Sequence, residues 1–241
     1  DGKASVPGLV ADQVYMMSAM LDAYQASGDL KYLDRTKTLG AMVFKDFRDP
    51  ATGMLRNRAP ATPGTVLTQA APLAQVFYDD PTPAIQAVAA QAFRTLAALT
   101  SDRSYADKSE QLLRPAASRI GPLAGPSNGE LGLTLEERAA GETVVAITGP
   151  DDSSQTQGLW QAALATYRPG KVVMRVSGEN KATLPETMRA MYEASAHHHA
   201  SLAFVCAGTA CANPASSPDA LAKTIREFAV NRGASGNLAG R

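Results

Sequence analysis

Apolar positions recur with helical spacing from the start of the chain. Val14, Met17, Met20, Leu21 and Tyr24 follow the i, i+3, i+4, i+7 rhythm of one helix face. Gly28 then offers a left-handed cap, and Asp29 a carboxylate for the next helix start. Leu30, Leu33, Leu39, Met42, Val43 and Phe47 carry the pattern on. Helices over 8–26 and 30–46, joined so briefly, must lie antiparallel, and neither can bury its apolar face alone. A third helix is predicted over 83–99, with Ile85, Val88, Ala89, Ala92, Phe93, Leu96 and Leu99 inward, and a fourth over 104–120. The turn at 100–105 (Thr-Ser-Asp-Arg-Ser-Tyr) repeats the chemistry of 27–32 (Ser-Gly-Asp-Leu-Lys-Tyr). In both an Asp caps a helix and a Tyr follows three residues later, which reads as an internal repeat of helical hairpins.

After a fifth helix over 130–139 the periodicity changes. Compact apolar runs at 143–147, 171–176 and 201–206 read as strands. Helices are expected over 153–166, over 184–195 with Thr183 and Glu186 at capping-box spacing, and from Ser217-Pro218 onward. This alternation implies a small α/β layer. The expected fold is mainly α with a small three-stranded α/β part, divided near residue 141 into a helical-hairpin region (1–141) and an α/β region (142–241). A turn is expected at 49–53 and a short extended piece at 54–58. The Pro-, Thr- and Gly-rich stretch 59–81 is long for an idle loop, and the Gly-rich tail after 231 is expected to fray.

Composition narrows the function classes. Of 241 residues, 45% are hydrophobic, ample for a core. Lys plus Arg and Asp plus Glu are 23 each, so no basic surplus points to nucleic acid. No apolar run reaches the length of a membrane span and no cleavable signal is visible, which favours a cytoplasmic location. A first residue other than Met suggests a fragment or a processed product. Two cysteines allow one bridge, a redox pair or neither.

Three stretches carry a family resemblance. They are Ala11-Asp-Gln-Val-Tyr15 with Ala23-Tyr-Gln-Ala-Ser-Gly-Asp29, then Asp79-Asp-Pro-Thr-Pro-Ala84 with Ala87-Val-Ala-Ala90, and last Tyr167-Arg-Pro-Gly-Lys-Val172 with Phe204-Val-Cys-Ala-Gly-Thr-Ala-Cys-Ala-Asn-Pro214. Together they resemble the C-terminal part of the spermatogenesis-associated protein 20-like family, whose long members join a thioredoxin-like domain to an (α/α)6 toroid. The Cys-x4-Cys-x-x-Pro segment at Cys206, Cys211 and Pro214 is the most specific of these matches. The chain departs from the family in having no thioredoxin-like domain and no Cys-x-x-Cys, and in placing Ala84-Ile-Gln86 where the family has Ser-Gly-Asn. The five helices counted before residue 141 do not complete a ring of six hairpins. The resemblance therefore implies part of a toroid, its missing half or a thioredoxin-like domain lying elsewhere in a longer protein or in a partner chain. The family toroid is similar to those of N-acylglucosamine 2-epimerases and several glycosidases, so it also implies a sugar as candidate ligand, by analogy of fold.

Inner-helix starts of such a ring face a common funnel. Asp12 and Asp79 or Asp80 would converge there as candidate acid and base, with Gln13, Tyr15, Arg56 and Asn57 as candidate sugar-binding groups and Arg58 nearby. The plainer reading is that Asp12 and Asp80 cap helices. Cys206 and Cys211 form a buried thiol pair, a disulfide or a redox pair. His197-His198-His199 sits beside a strand and reads as solvated loop, so neither metal nor cofactor is expected. In the turn 148–154, Asp151 and Ser153 or Ser154 are the candidate caps, and Trp160 reads as core. Three functions remain open from the residues: a noncatalytic scaffold or carbohydrate-binding or interaction module, a sugar-processing enzyme (epimerase, isomerase or glycosidase-like) using the funnel carboxylates, and a thiol redox accessory using Cys206 and Cys211.

Overall fold

The computed structural model describes residues 8–57, 78–79, 81–117, 126–176, 181, 184, 186–194 and 200–228. Two helical hairpins come first: α1 (Val10–Ser27) with α2 (Leu30–Met42), and α3 (Ile85–Thr100) with α4 (Arg103–Ala117). A π-helical turn, Val43–Phe47, extends α2 and buries Val43 and Phe47. After α5 (Gly129–Ala140) come β1 (Thr143–Thr148), α6 (Ser154–Ala165), β2 (Lys171–Arg175), α7 (Glu186–Ala194), the hairpin β3 (Leu202–Ala207) and β4 (Ala210–Cys211), and α8 (Pro218–Glu227). The fold is mainly α with a small mixed sheet, as the periodicity predicts. Among the described residues the sheet has four strands in the order β2-β1-β3-β4, where three are expected. The extra strand is only two residues long, too short to leave an alternating pattern.

The two interhelix turns are built alike. Gly28 ends α1 at φ 72° and Ser101 ends α3 at φ 58°, both left-handed. Asp29 then accepts from the Lys31 N–H (3.0 Å) and Asp102 from the Ser104 N–H (2.8 Å), each relieving an orphan donor at a helix start. A side chain at position 28 would also crowd Arg175, because an added Cβ meets its Cγ at 3.1 Å. Ser101 carries the cost of a positive φ that a glycine would not. Ser101→Gly is expected to stabilise the chain by about 0.5–1 kcal/mol, read as a higher urea midpoint at unchanged slope.

The sheet lies between two helical layers. β1 runs parallel to β2 and antiparallel to β3. Successive side chains of a strand point to opposite faces. One face (Val144, Ala146, Val172, Met174, Phe204, Cys206) joins the core of the helical hairpins, with Met17, Leu21, Phe93 and Leu96. The other (Val145, Ile147, Val173, Ala203, Val205) packs on Leu159, Ala163, Leu221 and Ile225 of α6 and α8. The core is therefore continuous across residue 141, where the sequence suggests a division. α1 and α3 both rest on the edge strand β2. Gln25 of α1 fastens that edge: its Oε1 accepts from the Val173 N–H and its backbone carbonyl from Trp160 Nε1, each at 2.9 Å.

The α/β turns follow ordinary capping chemistry. Ser153 caps α6 by accepting from the Thr156 N–H (3.4 Å), and Ser217 caps α8 from the Ala220 N–H (3.3 Å) ahead of Pro218. Asp151 does not cap; it pairs with the nearly buried Arg175. Trp160 is half-buried against the second core, with the Arg175 guanidinium 5.2 Å from its ring. Thr183 lies outside the described residues.

Candidate functional site

The hairpins place α1, α3 and α5 side by side and parallel. Two residues, Tyr15 and Asp79, fix their starts at one end. The Tyr15 hydroxyl donates to the Pro83 carbonyl (2.6 Å), joining α1 to the approach to α3. The Asp79 carboxylate then reaches both remaining helices. Its Oδ1 accepts from the Ala84 N–H (2.7 Å) and its Oδ2 from the Glu130 N–H (3.0 Å). The Asp79 N–H donates to the Ser127 carbonyl (2.9 Å), so the residue is held at three points. Burial pushes the neighbouring Glu130 carboxyl up, helped by the charges of Asp79 and Glu137.

The other residues named for a sugar site have backbone or ion-pair partners here. Asp12 is exposed and accepts from the Leu9 N–H (3.2 Å) in the first turn of α1. The Asn57 carbonyl accepts from the Val10 N–H (3.0 Å) at the same helix start. Arg56 pairs with Asp49 (2.8 Å), and the hydrogen bond from Arg56 holds the Asp49 carboxyl below its ordinary range. Gln13 lies against Gly8. The structure thus brings Asp12, Tyr15 and Asp79 to one end of the helices and assigns both aspartates to helix starts. Asp80, Arg58 and His197–His199 lie outside the described residues.

Cys206 and Cys211 are joined by a disulfide across the β3–β4 hairpin, with Cα atoms 4.1 Å apart. They are directly paired in the sheet register. Cys206 is 3% exposed and backs a shallow apolar hollow of about 270 Å³, bordered by Ala97, Ala98 and Val144.

A more polar cavity, about 260 Å³, opens at the far ends of the same parallel helices, where α1, α3 and α5 meet β2. Charged groups line it and most are engaged. Gln91 Nε2 donates to Glu137 Oε2 (2.7 Å). Arg94 Nη2 donates to the Glu137 carbonyl (3.0 Å) and pairs with Glu142 (2.7 Å). Lys171 Nζ caps the end of α6, donating to the carbonyls of Ala163, Leu164 and Thr166, and its burial lowers its basicity. Asp22, also on the wall, is pushed up by burial alone.

Sequence reasoning passes over this second site, although α3 carries a signal for it. Arg94 is the single charged residue in that helix, and eleven of its sixteen residues are buried. A helix apolar nearly all round is enclosed on all sides, so its one charge must find partners inside. Among the described residues no group of three or more His, Cys, Asp or Glu is placed to hold a metal ion, and no helix is long and apolar enough to cross a membrane. No family model matches the chain, and no curated protein matches it.

Proposed function

We propose that this chain is a noncatalytic module: an arc of an (α/α) toroid of the spermatogenesis-associated protein 20-like family, seated on a small α/β layer. One observation carries the noncatalytic reading. Both carboxylate oxygens of Asp79 accept backbone N–H groups from the starts of α3 and α5. Those bonds tie two helix starts together, a structural use of the carboxylate that calls for no substrate. Asp12 is used in the same way at α1. The parallel α1, α3 and α5, with α2 and α4 returning antiparallel, support the arc. The sheet-side burial of α1 and α3 supports the scaffold.

Isothermal titration with N-acetylglucosamine and with mannose tests this. The expected result is no saturable heat from the wild-type chain, and no change in this on Asp12→Asn. Saturable sugar binding that disappears in Asp12→Asn, with the melting temperature unchanged, would overturn the purely structural use of Asp12, and conversion of the bound sugar would then overturn the noncatalytic reading.

A further inference from the structure

The Cys206–Cys211 bridge fastens the last strand of the sheet. That strand, β4, is two residues long and pairs only with β3. Its register sets Cys211 opposite Cys206 and Ala210 opposite Ala207. Beyond the bridge the Ala212 N–H donates to the Val205 carbonyl (2.9 Å), and Ala203 and Ala215 exchange two hydrogen bonds (2.8 and 2.9 Å). The bridge is the covalent tie in an edge otherwise held by a few backbone bonds. We propose that it is a thiol–disulfide exchange site, opened in the folded chain by a dithiol, and that it latches β4 to the sheet.

Burial decides which sulfur is attacked. Cys206 is 3% exposed, whereas Cys211 is half-buried. A thiolate therefore attacks Cys211 Sγ, since exchange depends on access as well as on nucleophilicity. The bond between the two sulfurs breaks, and Cys206 takes the electron pair and then a proton. The second thiolate of the same reagent attacks its own sulfur in the mixed disulfide, and Cys211 leaves as the second thiol. The dithiol becomes a disulfide, and two electrons and two protons pass to the bridge. The structure also houses the freed Cys206. It shares a strand face with Val144, its register partner on β1, and both border the apolar hollow beside Ala97 and Ala98. A neutral thiol is a small apolar group in such a place.

Position decides what the bridge holds. The two cysteines are separated by 5 in sequence. Closing so short a loop constrains the unfolded chain less than closing a long one, so the bridge contributes less to global stability than a long-range one would. Its effect is local, on a strand with little pairing of its own. The Ala203–Ala215 pair lies beyond it and keeps the approach to α8 in place once the bridge is open. Opening is therefore confined to the stretch between Val205 and Ala215. None of this depends on the chain being an arc of a toroid.

Dithiothreitol is the probe, applied to the oxidised full chain. The chain has two cysteines and both are in the bridge, so trapping with iodoacetamide and weighing the product reads its opening directly. The rate of reduction should rise in proportion to dithiothreitol and stay within about twofold as urea is raised short of the unfolding transition. Reduction through global unfolding would instead climb with urea at the slope of the unfolding equilibrium. Amide hydrogen exchange then reads the latch. In the reduced chain the Ala212 amide should exchange about tenfold faster or more, and those of Ala203 and Ala215 at their former rates. Cys211→Ser should show the same pattern with no dithiol present, and its melting curve establishes that it folds. Reduction that follows the unfolding slope, unchanged exchange at Ala212, loss of protection at Ala203 and Ala215, or a Cys211→Ser chain that does not fold would each overturn the proposal.

Discussion

Gln86→Leu is expected to destabilise the chain by about 3–4 kcal/mol, although leucine fills nearly the same space. Gln86 is 1% exposed in the first turn of α3. Its Oε1 accepts from the Leu55 N–H and its Nε2 donates to the Leu112 carbonyl, both at 2.9 Å. Nε2 also approaches the Gly53 carbonyl at 3.5 Å. One amide thereby joins three segments: the bend after the second helix, the start of α3 and the end of α4. Leucine removes both halves of the amide, leaving the Leu55 N–H without its acceptor and the Leu112 carbonyl without its side-chain donor. Each such loss costs about 1–3 kcal/mol. Urea unfolding checks this as a lower midpoint at constant slope. Gln86→Glu separates the two halves when ionised, since it then keeps an acceptor for Leu55 and loses the donor to Leu112, whereas the protonated carboxyl keeps an O–H donor as well. It should fall between wild type and Gln86→Leu only if the new carboxyl is taken up protonated, and below Gln86→Leu if it ionises there. A change under about 1 kcal/mol for Gln86→Leu would mean that the amide is not the tie between these segments.

The second large effect is expected at Asp79. Asp79→Ala removes the acceptor for two helix starts at once, and each cap is worth about 1 kcal/mol, up to about 2. A loss of about 2–4 kcal/mol follows. Asp79→Asn keeps one oxygen, so one of the Ala84 and Glu130 N–H groups loses its partner while the other does not; about half the loss should return. Calorimetric melting of the two variants measures it. A catalytic aspartate predicts a different outcome: its removal leaves stability unchanged or raises it, because such groups are held for the substrate and not for the fold. The position therefore discriminates between a tie and an acid or base without any ligand being known.

How much of this was legible in the sequence differs from one level to the next. The hairpins were, because Val14, Met17, Leu21 and Tyr24 sit at helical spacing and are all buried. So were the twin turns, since Asp29 and Asp102 cap as the repeated motif implies. Strands β1 and β3 were visible as unbroken apolar runs because both faces are covered, at α6 and α8 as well as at the hairpins. The roles of Asp79, Gln86 and Arg94 were not. Each depends on partners dozens of residues away: Glu130, Leu112 and Glu142. Periodicity reports which face of an element is apolar, and says nothing about which distant backbone group a polar side chain will meet. The departure at Ala84-Ile-Gln86 illustrates the point. It reads as lost polarity in a pocket, yet Gln86 is a buried structural tie. Asp12 and Asp79 were legible as polar groups at helix starts, but only coordinates separate a helix cap from a funnel wall.

The continuous core of hairpins and sheet has a consequence for how the chain comes apart. Val144, Ala146, Val172 and Met174 lose their cover if α1 and α3 leave, and those helices lose theirs if the sheet melts. The sheet would keep its second core against α6 and α8, but its hairpin-facing side and the facing helices would both be laid bare. Folding of the two is thus mutually conditional: a nick near Gly141 would not release two stable pieces, and heating should give a single cooperative transition. Any longer assembly that contains this chain must accommodate it as one indivisible block.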